Sequence, residues 1–438
     1  MIQTSIFDML YPKFKIDKPI RLITLFSGYD SQALALKYLG VPFEHYRTCE
    51  WAVKSIQALK DLHFEDRNID YSMGYSKEQL VEYLYDLGIS SNYNEPMSED
   101  QIKRLNENQL RTIFNNIIAT HNMVNIQQVK GEDLGVEDTD NYCYIMTYSF
   151  PCQDLSLAGK GKGMSDTSTR SGMLWEVERI LNECKEKPQV LLMENVPQVH
   201  GEGNSQDFNK WQLRLEELGY KNYWEDLIAT DYGIPQTRNR CFMVSVLGDY
   251  SYSFPPKQEL KIKLKDLLED NVDEKYYLSG AMLNYMYGNT GNLENYNRKE
   301  VFERNFEDGD IRDVASTITT NAGNRATDNF IKVKNATKKG YLEATDGDGI
   351  DLAQPNSETR RGRVQKEQIQ TLTTQNNLGV VNNMRIRKLT PKECFRLMGV
   401  KDEDYKKIAK NQSDSSLYHL AGDSIVVNVL IAIFKELL

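Results

Sequence analysis

The chain has 438 residues, more than one average domain holds, which predicts two or three units with sizeable cores. Its composition, 40% hydrophobic and 26% charged, is that of a soluble globular protein, and no apolar run looks long enough to span a bilayer. The N-terminal residues lack the continuous apolar segment of a signal peptide. These features argue against a membrane or secreted protein, and we expect a cytoplasmic one.

The charge is uneven along the chain. The net charge of −10 argues weakly against a nucleic-acid partner. Residues 61–120 carry 11 acidic and 5 basic side chains, whereas residues 321–400 carry 8 acidic and 14 basic ones. The basic segment is either a docking face or a merely solvated one.

The cysteines and histidines form no recognisable motif. Six cysteines are scattered without a CxxC pair and five histidines show no HExxH spacing, so we predict neither a disulfide framework nor a metal site. A single cysteine of this kind is usually a small buried hydrophobe.

The N-terminal segment has the pattern of strand, turn, helix and strand. RLITLF (21–26) is apolar and β-favouring, a glycine turn follows, QALALKYLG is helical, and HYRTCE (45–50) is a second strand. Further strand candidates at 143–149, 190–196 and 241–246 alternate with helical stretches. This alternation predicts a largely parallel α/β sheet with helices on both faces and ligands at the carboxyl ends of its strands.

Two regions interrupt this pattern. Residues 61–124 contain two capping-box sequences, which predict helices at 76–88 and 98–121 and thus a helical insertion. A later region, rich in Asn, Thr, Gly and charged side chains, predicts a smaller, irregular, mostly β domain. Helical periodicity then returns up to the C-terminus. The predicted units are 1–255, 256–385 and 386–438, the last returning to the sheet domain.

The predicted ligand edge carries candidate binding residues. Gly28 in the turn FSGYD lets the backbone approach a ligand closely at a helix N-terminus. Glu50 ends the second strand, where a carboxylate can accept hydrogen bonds from ribose hydroxyls; otherwise it is a solvated strand end. Glu194 of MENVP ends a buried strand, where burial raises the proton affinity of a carboxyl. It is a candidate general acid or else a salt-bridged structural residue.

Cys152 in SFPCQDLSLAGKGKGM ends a strand candidate, after a proline that stiffens the turn. A thiolate at this edge can attack an electron-poor ring carbon. The glycines beyond it carry Lys160 and Lys162, a composition suited to a hinged loop that closes over a polyanion. Arg238 and Arg240, two apart before a strand, share one face and can hold a carbonyl, a phosphate or a carboxylate.

In order and over most of the chain, these segments resemble the DNA (cytosine-5)-methyltransferase family. The resemblance is carried by FSGYD, Glu50 with Trp51, FPCQ, MENV, QTRNR, RKLTPKECFRLMG and GDSIVVNV. It implies a Rossmann-like, S-adenosyl-L-methionine-dependent methyltransferase sheet and a target-recognition domain in the irregular region. The implied activity is methyl transfer to carbon 5 of cytosine in DNA.

The resemblance also implies a cofactor site at the strand ends. The ribose of S-adenosyl-L-methionine would lie on Glu50 and the adenine near Trp51. Asp133 of KGEDL would hydrogen-bond the adenine edge, with Leu174 packed nearby. The residues implied to bind the cofactor are Phe26, Gly28, Asp30, Glu50, Trp51, Asp133, Leu134, Pro151, Leu174, Asp423 and Ser424.

Four residues carry the implied reaction. Cys152 would add to carbon 6 of a cytosine flipped out of the duplex. Glu194 would contact ring nitrogen 3 and the exocyclic amine, and Arg240 the carbonyl oxygen, while Arg238 would help to steady the catalytic loop. Carbon 5 would then take the methyl group, and loss of its proton and of Cys152 would release 5-methylcytosine.

Duplex DNA is the implied partner, and a restriction endonuclease of the same system is a further possible one. Arg361 and Arg363 of ETRRGR are candidate phosphate contacts. A Thr and Leu pair is implied to read the base, at 371–372 or, as the rival, at Thr317 and Ile318. The residues implied to bind DNA are Ser156, Lys160, Lys162, Arg361, Arg363, Thr371 and Leu372. A transfer-RNA methyltransferase of the same fold and an inactive DNA-binding relative are the alternatives.

Three positions depart from the family pattern. Asp30 replaces the second glycine of the first turn, Ser149 stands where GFPCQ has glycine, and Asp423 replaces Asn in the closing GNS. Asp30 either accepts a hydrogen bond from the ammonium group of the cofactor or caps the helix that follows. None of these changes removes a reacting group.

Overall fold

The computed structural model describes residues 11–151, 171–278, 331–355, 357, 359–382 and 385–438. Several residues of the sequence predictions lie outside the described residues: Cys152, Ser156, Lys160, Lys162, Thr317 and Ile318.

The described part contains both helices and strands, joined by short turns. The strands are β1 (Ile20–Leu25), β2 (Phe43–Cys49), β3 (Cys143–Tyr148), β4 (Val190–Asn195), β5 (Tyr220–Ile228), β6 (Asn239–Leu247), β7 (Ile331–Lys334), β8 (Tyr341–Ala344), β9 (Gly349–Asp351), β10 (Val364–Gln365), β11 (Leu378–Asn382) and β12 (Arg385–Lys388). The helices are α1 (Ser31–Leu39), α2 (Val53–His63), α3 (Lys77–Asp86), α4 (Glu99–Lys103), α5 (Glu107–Ala119), α6 (Leu174–Glu183), α7 (Ser205–Glu217), α8 (Pro391–Arg396), α9 (Asp402–Ala409), α10 (Asp414–Asp423) and α11 (Val427–Leu437).

The first six strands form one sheet in the order β2-β1-β3-β4-β6-β5. The four strands β2, β1, β3 and β4 are parallel, so their carboxyl ends meet at one edge. β6 runs antiparallel to both of its neighbours. The predicted α/β class is confirmed. Strand β5 was not predicted, because most of its residues are half-buried or exposed and lack an apolar pattern.

Each face of this sheet packs in its own apolar core, because successive strand residues point to opposite sides. In β1, Leu22 belongs to the core that α1 and α11 cover, whereas Ile23 belongs to the core that α6 and α7 cover. Helices therefore cover both faces, as the alternation of strands and helices predicted.

The helical insertion follows its predicted capping boxes. Ser76 and Ser98 each accept a hydrogen bond from the backbone of the Gln three residues later and start α3 and α4. The single helix predicted for 98–121 is wrong. Asn106 and Gln109 form another capping box that ends the first helical run and starts α5. The insertion packs around a separate apolar core.

The irregular region contains two small sheets. β7 pairs with β8, and four strands form a second sheet in the order β10-β9-β11-β12. β12 spans Arg385–Lys388 and therefore crosses the predicted boundary between 385 and 386. The stretch Ile369–Asn377, which resembles the Thr-rich stretch at 315–324, makes one isolated bridge and is otherwise not a strand.

The C-terminal helices are unusually apolar. Among the described residues one stretch, Asp414–Leu437, is long and apolar enough to cross a membrane, yet 72% of its most apolar window is buried in the fold. The core helices of water-soluble folds pass the same test of length and composition. The sequence expectation that no run reaches this length was therefore too strong.

Candidate active site

The turn between β1 and α1 has an unusual backbone. Phe26, Gly28 and Asp30 all have positive φ, at 58°, 57° and 61°. A Cβ added to Gly28 would meet nothing within 4 Å, so the turn borders open space. Only glycine adopts such angles without strain, and its bare backbone leaves room for a ligand.

Asp30 caps α1. Its Oδ1 accepts a hydrogen bond from the backbone N–H of Ala33 at 3.0 Å, and its Oδ2 accepts one from Thr24 at 3.3 Å. His45 Nδ1 lies 3.7 Å from the same Oδ2, and the Asp30 side chain is 1% exposed. Of the two alternatives for this departure, the structure shows the helix cap, which leaves the carboxylate turned away from solvent.

Glu50 follows β2 and its carboxylate reaches back to the first turn. Its Oε2 accepts a hydrogen bond from Gly28 N at 2.9 Å, and its Oε1 accepts one from Ala52 N at 2.8 Å. Burial raises the pKa of this carboxyl to about 7, although the two backbone donors oppose the shift. Each oxygen keeps a lone pair for a further donor. Glu50 is therefore a buried acceptor beside the open turn and not a solvated strand end.

Asn122, which sequence reasoning missed, holds the Glu50 backbone. Its Nδ2 donates to the carbonyl of Glu50 and its Oδ1 accepts from the backbone N–H of Glu50, both at 2.9 Å. The two residues are 72 apart in the chain, so no local pattern could have shown the contact.

The other predicted adenine-side residues differ in exposure. Trp51 is partly exposed and packs on the core of the insertion. Asp133 is exposed, and its carboxylate accepts a hydrogen bond from Lys130 N at 2.8 Å. Leu134 and Leu174 are fully buried core residues. A cavity of about 670 Å³ adjoins Asp133, and neither Glu50 nor Trp51 is among its described lining residues.

Glu194 and Arg240 lie together at the end of β4. Arg240 Nε is 3.1 Å from Glu194 Oε1, yet this buried oxygen makes no hydrogen bond to any described residue. Burial raises the pKa of Glu194, while the charges of Arg240 and Arg238 lower it. The result is a carboxyl that is 7% exposed and lies against the Arg240 guanidinium.

The strand that leads to Cys152 ends beside Glu194. Tyr148 pairs with Met193 in the β3–β4 register. Asn195 then donates from Nδ2 to the carbonyl of Phe150 at 3.0 Å. This contact fixes the turn before Pro151, which is the last described residue before Cys152.

Arg238 is buried and makes three described hydrogen bonds to backbone carbonyls. It is 4% exposed, and its guanidinium donates to the carbonyls of Leu372, Gly422 and Ser424 at 3.2, 3.0 and 2.7 Å. Its described contacts thus join the irregular region to the C-terminal helices. The predicted contact with the catalytic loop falls on residues outside the description.

Gln236, in the same QTRNR motif as Arg238, also connects distant segments of the chain. Its side chain donates to the carbonyl of Leu397 at 2.8 Å and accepts from Leu372 N at 3.0 Å. It is fully buried, and sequence reasoning did not single it out. The one sequence feature that could have indicated a role for Gln236 was its position in the QTRNR motif.

The GDS segment closes the site. A Cβ on Gly422 would lie 2.3 Å from the carbonyl carbon of Thr373, so only glycine allows this close packing. Ser424 is nearly buried, whereas the side chain of Asp423 is 69% exposed. The charge of Asp423 raises the pKa of both Glu50 and Glu194. The three carboxyl groups therefore share one end of the sheet.

Two of the predicted DNA contacts are corrected by the structure. Arg363 is 1% exposed and donates to the backbone carbonyls of Asp351 and Gln354, so it cannot reach a phosphate in this conformation. Leu372 is 5% exposed and packs in the core under α1 and α11, so its side chain cannot face a base. Arg361 is exposed and Thr371 partly so, and both stay accessible.

The fold and this edge together define an α/β protein in which an open glycine turn, two buried carboxyls and a guanidinium lie at the ends of the strands. The family C-5 cytosine-specific DNA methylase matches residues 86–438 of the chain. The type II methyltransferase M2.ScrFI of Lactococcus lactis subsp. cremoris is 31% identical over 95% of this chain and 99% of that protein. The orphan methyltransferase M.SssI of Spiroplasma monobiae is 30% identical over 96% of this chain and 97% of that protein.

The chain therefore belongs to the C-5 cytosine-specific DNA methylase family and is an enzyme of that family. Its fold is similar to that of the S. pombe Dnmt2 methyltransferase, with a TM-score of 0.51 at 15% identity over 95% of this chain and 98% of that one. The Entamoeba histolytica methyltransferase EhMeth gives a TM-score of 0.52 at 15% identity over 96% and 98% of the two chains. At this identity the likeness concerns the fold alone.

Proposed function

We propose that the chain methylates carbon 5 of a cytosine flipped out of duplex DNA, with S-adenosyl-L-methionine as the methyl donor. One observation carries the proposal: Glu194, a buried carboxyl with a raised pKa, lies beside the Arg240 guanidinium at the edge that also holds Glu50. A protonated carboxyl and a guanidinium are both donors, and cytosine presents two adjacent acceptors, ring nitrogen 3 and the carbonyl oxygen.

The residues of the first turn fit the proposed cofactor. The open space over Gly28 leaves room for it, and the remaining lone pairs of the Glu50 carboxylate can accept from ribose hydroxyls. Trp51 offers a partly exposed ring for the adenine. Asp133 is the proposed partner of the adenine edge, and Leu174 closes the pocket from the core side. When bound, the cofactor supplies an electrophilic methyl group on a sulfonium.

The proposed reaction begins with the Cys152 thiolate, which forms a bond to carbon 6 and pushes the ring electrons toward carbon 5. Glu194 gives a proton to nitrogen 3 and so limits the negative charge, while Arg240 holds the carbonyl oxygen. Carbon 5 would then take the methyl group, and the sulfonium sulfur would keep the electron pair of the broken bond as a neutral thioether. Water removes the proton from carbon 5, the Cys152 sulfur leaves carbon 6 with its electron pair, and nitrogen 3 returns its proton to Glu194 as the aromatic ring is restored.

Duplex DNA would lie across the basic part of the irregular region, the proposed target-recognition domain at 256–385. Arg361 is exposed and free to reach a phosphate, although its Nε already donates to Ala336 O. Ser156, Lys160 and Lys162 are the proposed contacts of the loop after Cys152. Thr371 stays the proposed base-reading residue, now without Leu372. Residues 1–255 and 386–438 would form the catalytic domain.

A cytoplasmic location and a restriction endonuclease as functional partner complete the proposal. Two considerations support them: one relative is named a type II methyltransferase, and the chromosome of a bacterium lies in its cytoplasm. The name of another relative, an orphan methyltransferase, gives no support to a restriction endonuclease as partner.

A tritium-transfer assay tests the proposal. Labelled methyl groups should enter duplex DNA and not transfer RNA, and Cys152→Ser should abolish transfer while DNA binding persists. The wild type should also form a covalent adduct with DNA that contains 5-fluorocytosine. Carbon 5 then carries fluorine in place of the proton that must be removed, so the bond to Cys152 cannot break. Methylation of transfer RNA alone, or no adduct, would overturn the proposal.

A further inference from the structure

A second group of potential ligand-binding side chains lies on the other face of the sheet. His200 ends a 3-10 turn after β4, Asp226 lies on edge strand β5, and Cys241 lies on β6. In the strand register Cys241 is opposite both Asp226 and Asn195. One ligand atom from each of His200, Asp226 and Cys241 can be chosen so that all three lie within 4.8 Å of one another.

The distances suit a small cation. His200 Nε2 is 2.9 Å from Asp226 Oδ1. In tetrahedral zinc sites, bond lengths of about 2.0 Å to nitrogen and about 2.3 Å to sulfur place the donors roughly 3.5 Å apart. Side-chain rotations that move the donor atoms by about 1 Å would bring the three donors to that spacing.

The donor types select the metal. Magnesium and calcium prefer oxygen ligands, whereas an imidazole, a thiolate and a carboxylate together suit zinc. Cys241 is fully buried, while the side chains of His200 and Asp226 keep 25% and 32% of their surface exposed. The group is therefore open to solvent on one side, which gives an ion a path of entry and leaves room for water.

We propose that His200, Asp226 and Cys241 bind one zinc ion, with a water molecule as the fourth ligand. On binding, the Cys241 thiol releases its proton to solvent and the resulting thiolate bonds to the metal. The site lies away from the reacting groups. Glu194 pairs with Phe242, one residue along β6, and so points to the opposite face from Cys241.

The ion joins two segments that no strand pairing connects. It ties the turn after β4, which begins three residues beyond Glu194, to edge strand β5. Without metal, His200 Nε2 and Asp226 Oδ1 lie at hydrogen-bond distance beside a buried thiol. The two states predict different responses to metal.

Cobalt binding tests the proposal, because cobalt(II) replaces zinc in such sites and a thiolate bound to it absorbs in the near ultraviolet. The experiment uses the full chain with Cys152→Ser, which removes the proposed catalytic thiol as a rival ligand. We expect one cobalt per chain with a thiolate band, displaced by one equivalent of zinc. Zinc should also raise the Tm by about 3 °C when its free concentration is about 100 times the Kd.

Three further variants decide the assignment. Cys241→Ser should remove the thiolate band, and His200→Gln should weaken cobalt binding at least about tenfold, since each removes one ligand. His200 is partly exposed, so its replacement leaves the core intact even if Cys241→Ser fails to fold. The matched control is Cys184→Ser, a buried cysteine of the same core that should keep the band. No thiolate band with the intact trio, or an equal band and affinity in His200→Gln, would overturn the proposal.

Discussion

Glu50 and Glu194 are two buried carboxyls at one edge of the same sheet, with their pKa raised by the same cause, and yet their surroundings differ. Both Glu50 oxygens accept backbone hydrogen bonds, and no side-chain cation pairs with Glu50 in the described part of the chain. Glu194 lies against the Arg240 guanidinium and has an oxygen without a hydrogen bond.

This difference shows how two buried carboxyls at one edge of the sheet can have two chemical roles, a fixed hydrogen-bond acceptor and a proton-exchanging group. A carboxylate held by backbone donors keeps its geometry and acts as a fixed acceptor, which suits the hydroxyls of a cofactor. A buried carboxyl beside a guanidinium, with its pKa raised, can exchange a proton with a ring nitrogen. Variants of the two glutamates and of a neighbouring charge should separate these roles.

The largest effect is expected for Glu194→Gln. The amide cannot give a proton to ring nitrogen 3, so kcat should fall about 100-fold to 10,000-fold. Cofactor affinity should stay within about twofold of wild type, because Glu50 is untouched. Single-turnover methyl transfer and calorimetric cofactor binding measure the two quantities. Glu225→Gln, an exposed position on β5, is the control, and full activity of Glu194→Gln would contradict the division.

Glu50→Gln should have the opposite profile. An amide loses charge and offers one acceptor oxygen where the carboxylate has two, so the Kd for the cofactor should rise about 10-fold to 100-fold. The rate at saturating cofactor should change little. Equilibrium dialysis with S-adenosyl-L-methionine checks the first value and a saturated turnover assay the second. Glu44→Gln, at the far end of β2, should bind as wild type does.

The pH dependence of cofactor binding should report Glu50. Its pKa of about 7 means that the carboxyl is protonated in mildly acidic solution and then accepts fewer hydrogen bonds. Affinity should therefore fall as the pH drops below 7, by up to about tenfold per pH unit, and level off above pH 8. Binding titrations between pH 5.5 and 8.5 would test this. A pH profile that persists in Glu50→Gln would assign the titration to another group.

The free energy of unfolding of the cofactor-free protein should decrease as the pH rises, whereas the affinity for the cofactor increases. A carboxyl whose pKa is raised in the folded state contributes stability that is complete below its unfolded pKa and is lost as pH rises through about 7. The free energy of unfolding of wild type, relative to Glu50→Gln, should decrease between pH 4.5 and pH 7 by at most about 3 kcal/mol. Urea unfolding of both proteins at several pH values measures the difference.

The smallest effect is expected for Asp423→Asn. The exposed Asp423 charge raises the pKa of both Glu50 and Glu194, so its removal should lower both. The midpoint of the binding profile should move to lower pH by roughly a few tenths of a unit, and less in high salt. The same titrations in low and high salt would show it. A midpoint that does not move would mean that Asp423 does not act on Glu50.

Much of the sheet was predictable because its signals are local. A buried strand is a short apolar run, and a capping box lies within four residues, so β1, β4, α3 and the start of α4 followed from the sequence. Strand β5 did not, because its burial comes from α7 and β6 rather than from an apolar pattern of its own. Site residues at strand ends, Glu50 and Glu194, were predictable for the same local reason.

The misplaced residues share a different cause. Arg363 and Leu372 belong to a basic or Thr-rich stretch that looks exposed, yet the structure buries both. Leu372 is fixed by Gln236 and Arg238, more than 130 residues away in the chain. A pattern within one stretch carries no information about such partners.

The sequence by itself determined the α/β class, the order of the motifs and the acids that end two strands, since these depend on neighbouring residues. Only the tertiary structure decided the reversed direction of β6, the cap made by Asp30 and the joint formed by Arg238. It alone also brought His200, Asp226 and Cys241 together. Each depends on which distant segments pack together, and the burial and charge of a side chain are set by those neighbours.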